Sequence, residues 1–110
     1  MNRLKVARSA VTMSVFLLGA LCASGASGKS AQDSKAQLAF GVDMAKRGLW
    51  SEALFRFEQA HRLEPGRVSI LNNLAICYEA GARFEEALAT YREALRLAPE
   101  NRVVKQNYSR

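Results

Sequence analysis

The chain repeats itself at a shift of 34 residues, and this constrains its fold more than any other feature. Trp50 falls on Phe84, Glu52 on Glu86, Ala53 on Ala87, Leu54 on Leu88 and Phe57 on Tyr91. Ala60 then falls on Ala94, Arg62 on Arg96, Leu63 on Leu97 and Pro65 on Pro99. Upstream, Phe40 meets Leu74, Gly41 meets Ala75 and Met44 meets Tyr78. A fixed period of this size, with size and polarity repeating together, means stacked supersecondary units that share a core with their neighbours.

Each unit has the pattern of two antiparallel helices. In the first unit, Ser34 is placed to cap a helix, with Gln37 reaching back, and the helix is expected to run to about Arg47, where Gly48 breaks it. Ser51 is expected to cap the second helix, with Trp50 before it and Phe55 within it forming a hydrophobic staple. Apolar residues keep three-four spacing until Pro65 and Gly66 stop that helix. The second unit predicts helices over about 69–80, ended by Gly81, and 85–97, ended by Pro99. Small residues at Gly41, Ala53, Ala60, Ala75, Ala87 and Ala94 mark close approaches of helix axes. Trp50, Phe57, Phe84 and Tyr91 are expected to fill the spaces between hairpins.

The pattern resembles the tetratricopeptide repeat family. The family's Gly/Ala, Tyr, Ala, Phe/Tyr, Ala and Pro positions correspond to Gly41, Met44, Ala53, Phe57, Ala60 and Pro65, and again to Ala75, Tyr78, Ala87, Tyr91, Ala94 and Pro99. Met44 in place of Tyr, and Gln37 where Leu71 supplies an apolar residue, make the first hairpin the less regular one. The expected fold is all-α: repeats over 34–67 and 68–101, then a partial third repeat over 102–110 that packs Val104 and Tyr108 onto the last hairpin as a cap. Two hairpins and a cap fall short of the roughly three repeats wanted for independent stability. A homodimer, stability borrowed from a partner, or a marginal monomer is therefore expected.

Residues 1–26 read as a targeting signal: Arg3, Lys5 and Arg8 form a basic start, Ala10 to Leu21 an apolar run, and Cys22 to Gly28 a small-residue stretch. The run is too short for the roughly twenty residues of a membrane-spanning helix. Residues 27–33 are expected as a flexible linker. This reading places the protein in the periplasm or outside the cell, with a membrane-anchored form, using an uncleaved signal, as the alternative. Cys22 lacks the small residue before it, and the Leu two positions earlier, that a lipoprotein signal requires. With Cys22 removed, Cys77 stands alone and no internal disulfide is available.

Charge and motifs exclude several classes. The formal net charge of +6 falls to +3 without residues 1–26, and the remaining charges are interspersed, which argues against nucleic acid. The stretch Ala23 to Ser30 matches the loose phosphate-loop pattern but lacks the strand and α/β context such a loop needs. His61 has no partner at ligand or triad spacing, Cys77 reads as a small buried thiol, and Glu85 beside Glu86 suits a helix N-terminus better than an acid/base dyad. No enzyme and no cofactor is expected.

The resemblance implies a concave groove lined by the first helix of each hairpin, which receives an extended peptide or a helix of another protein. The stripe left free by the core gives Lys35, Leu38, Val42 and Ala45, then Ser69, Asn72, Ile76 and Glu79, with Asn73 one position aside and Val103 and Gln106 as extensions. Asn73 can offer its amide to a ligand backbone, cap its own turn or make an inter-helix bond. The family's carboxylate clamp is not reproduced, since Leu38 and Val42 stand where it would need Lys and Asn. The functional expectation is an exported adaptor or scaffold, with a membrane-tethered structural subunit of an envelope complex as the alternative.

Overall fold

In the computed structural model the described residues are 28 and 30–110, and residues 31–110 make one compact unit. The signal assigned to 1–26 lies outside the described residues. Helix α1 is described over 30–46, followed by α2 (Trp50–Leu63), α3 (Val68–Ala80), α4 (Phe84–Leu97) and α5 (Arg102–Tyr108). Consecutive helices pack on one another, as the 34-residue period requires of an all-α array.

Two hydrophobic clusters hold the array. Met44, Ala53, Phe57, Ala60, Ile70, Leu74 and Cys77 form the first, and Leu71, Ala75, Ala87, Tyr91, Ala94 and Val104 the second. Each draws on a hairpin and on the first helix of the next unit. Alanines are fully or almost fully buried at 53, 60, 75, 87 and 94, so the helix axes come close there, and Phe57 and Tyr91 fill the volume between. Trp50 and Phe84 do not share that role. They are 39% and 61% exposed: each is the first residue of its helix, one turn before Ala53 or Ala87, and borders an open cleft, Trp50 with Leu54 and Cys77, Phe84 with Ala87 and Tyr108.

Several expected caps give way to other devices. Ser34 is not an N-cap: α1 already runs through 30–33, the stretch expected as a linker, and Ser34 is a fully buried helical residue whose hydroxyl approaches the Ala60 carbonyl at 3.5 Å. Ser51 is not a cap either, because α2 begins at Trp50, with Leu49 in the cap position and no side-chain cap bond. With Trp50 inside the helix, the staple expected with Phe55 loses its basis, and Phe55 is 47% exposed. Instead, the Arg56 guanidinium lies 4.3 Å from the Phe40 ring centre and 5.4 Å from that of Phe55. Asn101 does cap α5, accepting from the Val104 amide at 3.1 Å.

The turns after α1 and α3 are the same motif. Gly48 takes a φ of +75°, with Leu49 N–H donating to the Met44 carbonyl at 2.9 Å and Gly48 N–H to Ala45 at 3.0 Å. After α3 the corresponding bonds run from Arg83 to Tyr78 at 2.8 Å and from Ala82 to Glu79 at 2.9 Å, and the left-handed residue is Ala82, with a φ of 59°. Gly81, expected to be the breaker, has an ordinary φ of −90°. A left-handed alanine costs roughly 1–2 kcal/mol. Ala82→Gly should therefore raise unfolding stability by about 1 kcal/mol in urea melts; an unchanged or lower midpoint would contradict the strain.

Buried protons make the fold alkali-sensitive. Burial pushes the Cys77 thiol from 9.0 up to about 11. Burial, and then the charge of Glu79, push the Tyr91 hydroxyl from 10.0 up to about 12. Both groups are held neutral in the fold and ionise more readily when unfolded, so their contribution is fully present below pH 9 and is lost as pH rises through the folded values. The urea midpoint should fall steadily above pH 9, and Cys77→Ala should flatten the early part of that fall; a midpoint constant to pH 11 would refute the assignment.

Candidate peptide-binding groove

The first helices of the two units distribute the candidate residues unevenly. On α1, Leu38, Val42 and Ala45 are half-buried and pack against the first cluster, while Lys35 is exposed. On α3, Ile76 is half-buried against the second cluster, Ser69 is exposed, and Asn72, Asn73 and Glu79 are partly exposed. The apolar members of the stripe thus serve packing as well as surface.

A cleft of about 220 Å³ opens between α3 and α5, lined by Val68, Ser69, Asn72, Asn73, Asn101, Val103 and Val104. It brings together Ser69, Asn72, Asn73 and Val103. Lys35, Leu38, Val42, Ala45, Ile76, Glu79 and Gln106 do not line it. Glu79 instead borders a second cleft of about 410 Å³ with Phe84, Ala87, Leu88, Tyr108 and Arg110, where it pairs with Arg110 at 3.6 Å. Val68, Asn101 and Val104 escaped the sequence reading as site residues. Asn101 carried a signal, an Asn immediately before an apolar-containing helix, which marks a cap at the edge of the groove.

The asparagines of the α3–α5 cleft are fixed by internal bonds. Asn107 Nδ2 donates to Asn72 Oδ1 at 2.9 Å, tying α5 to α3. Asn73 Nδ2 donates to the Ser69 carbonyl at 2.8 Å, so Asn73 bonds its own turn. The Asn101 side chain accepts from the Val104 amide. Asn72 and Asn101 keep their amide N–H groups as donors, and Asn73 keeps its carbonyl as an acceptor. Valines supply the apolar walls, and no lining residue is charged. Such a surface hydrogen-bonds neutral polar groups in orientations set in advance and has no fixed charge with which to hold an ionic ligand. Among the described residues there is no cluster of three or more metal-ligating side chains.

The sequence profile of the tetratricopeptide repeat family matches residues 44–109. The chain belongs to this family, whose fold is a protein-interaction repeat. Over 67 residues it is 33% identical to the tetratricopeptide repeat domain-containing protein PYG7, chloroplastic, of Arabidopsis thaliana, covering 61% of this chain and 22% of that protein. Over 82 residues it is 32% identical to the Photosystem I assembly protein Ycf3 of Rippkaea orientalis, covering 62% of this chain and 47% of that protein. The chain thus spans less than half the length of either relative.

These relatives overturn the expected periplasmic or secreted location, since one is chloroplastic and the other is a Photosystem I assembly protein. That expectation rested on charge and hydropathy in residues 1–28, where only Gly28 is described. Among the described residues, no helix is long and apolar enough to cross a membrane.

Proposed function

We propose that this chain is a non-catalytic assembly module that holds a neutral segment of another protein along the α1–α3–α5 side of its repeat array. The observation that carries the reading is the uncharged Asn- and Val-lined cleft between α3 and α5, whose polar groups are held in place before any ligand arrives. The half-buried Leu38, Val42, Ala45 and Ile76 would extend the apolar contact, and Lys35, Ser69 and Glu79 would border it. That one relative is an assembly protein supports placing the chain in the building of a multi-protein complex. Extended segments would use the asparagine amides, and helices would use the valines.

Selection of a displayed random-peptide library on the full chain tests this directly. Enriched peptides should be short of acidic and basic residues and should bind with little dependence on salt. Val103→Asp should weaken them by roughly tenfold or more, as expected from placing a charge in an apolar contact. Enrichment of acidic peptides, or binding indifferent to Val103→Asp and Asn72→Ala, would refute the groove.

A further inference from the structure

The outer face of α4 carries more apolar surface than a solvated helix needs. Phe84 is 61% exposed and Leu88 is 40% exposed, and both border the cleft of about 410 Å³ beside α5. On this helix Ala87, Tyr91 and Ala94 face the core, so Glu85, Ala89 and Arg92 turn away from it, with Leu88 at the edge of that flank and Phe84, one turn before Leu88, on the side that meets α5.

The charges along this flank are ordered. Glu86 is engaged by Arg83, and Glu93 by Arg96, within the same helix region. Glu85 joins none of the ion pairs among the described residues. Arg92 donates from Nε to the neutral Tyr108 hydroxyl at 3.2 Å and joins none of the ion pairs among the described residues. Among the described residues, the flank therefore runs from a carboxylate outside any ion pair, through Leu88 and Ala89, to a guanidinium without a carboxylate partner. Glu85 and Arg92 lie equally far, in sequence, from the midpoint between Leu88 and Ala89. The equivalent positions on α2 are Ser51 and Glu58, which lack this gradient.

We infer that the outer face of α4 is a self-association surface on which a second copy of this chain lays its own α4 antiparallel. A two-fold axis between Leu88 and Ala89 sets the apolar centres together and puts Glu85 of each copy over Arg92 of the other, twice per interface. A parallel pairing would set Glu85 on Glu85 and Arg92 on Arg92, which the like charges oppose. Phe84 of each copy borders the patch on its α5 side, one turn before Leu88. One helix and the edge of α5 supply less than the roughly 800 Å² per partner of a standard interface, so the dimer belongs to the weak, concentration-dependent class. This surface is separate from the α3–α5 cleft, and neither depends on the other.

Sedimentation equilibrium of the full chain over a wide concentration range tests the inference. The wild type should form a reversible dimer that weakens with added salt. Glu85→Arg alone and Arg92→Glu alone should each weaken it by roughly tenfold, with helicity by circular dichroism unchanged, because both residues are exposed. Mixing the two variants should restore a heterodimer near wild-type affinity, because both contacts then pair opposite charges. Leu88→Glu should abolish association. A chain monomeric at millimolar concentration, single reversals without effect, or a mixture that fails to recover would each overturn the proposal.

Discussion

Phe57→Ala should cost about 3–5 kcal/mol and move the urea midpoint sharply down. Phe57 is 1% exposed and sits at the centre of the first cluster, between Met44 on α1, Ala53 and Ala60 on its own helix, and Ile70, Leu74 and Cys77 on α3. Ala53 and Ala60 have no side-chain reach with which to collapse into the vacated volume, and Met44, Ile70 and Leu74 sit on neighbouring helices already packed, so most of the cavity term is felt. A domain of this size has a total stability on the order of 5–10 kcal/mol, so the loss consumes a large part of it. The surface ion pairs do not make up the difference: those of Asp43 with Arg47 and of Glu93 with Arg96 are exposed pairs three or four residues apart, screened by solvent. Far-UV circular dichroism with a urea titration reads the effect; a destabilisation below about 1 kcal/mol would show that Phe57 is not the keystone of this cluster.

Gly41→Ala should destabilise the same locus from the opposite direction. A methyl group at Gly41 would lie 2.5 Å from Cε1 and 2.7 Å from Cδ1 of the Phe57 ring. Alanine gains about 1 kcal/mol of helix propensity over glycine, but overpacking of this kind costs typically 1–3 kcal/mol and requires α1 to move off α2. A net loss is therefore expected even though the substitution is favourable for an isolated helix. Because the clash is with one ring, combining Gly41→Ala with Phe57→Leu should be less damaging than the two single losses added. A double-mutant cycle should show a coupling of about 0.5–3 kcal/mol, and strict additivity would mean that the two residues do not meet in solution.

Much of this fold was legible because repetition wrote each constraint twice. Alanine at 53 and 87, aromatic residues at 57 and 91, and alanine at 60 and 94 could each be checked against its copy, and all six are buried. The period also carried the identity of the left-handed residue after α3: Ala82 falls on Gly48, and glycine's reputation at position 81 obscured it. Trp50 and Phe84 were misplaced because stripe position alone does not say whether the first residue of a helix is covered by its neighbour: both follow the core spacing, yet both border open clefts. Ser34 was misplaced because a serine that can cap a helix can also be buried between two helices, and only the packing partner, here the Ala60 carbonyl, decides.

The groove was legible only in part. Stripe spacing located Ser69, Asn72 and Val103, which do line one cleft, but it could not separate surface from support on α1, where Leu38, Val42 and Ala45 lean on the first cluster. The bond from Asn107 to Asn72 joins residues 35 apart in the chain, a link that helical periodicity within one segment does not reveal.

Helix α3 gives Ile70, Leu74 and Cys77 to one cluster and Leu71 and Ala75 to the other. It is thus the shared wall of two rooms, and neither can be opened without exposing it. Its amides should be the slowest of the chain to exchange with solvent, because their release requires both halves to open together, while α5, with one buried side chain, exchanges through local fraying. A ligand resting on α3 and α5 would accordingly draw the frayed end into the exchange behaviour of the middle, binding and cooperativity becoming one event.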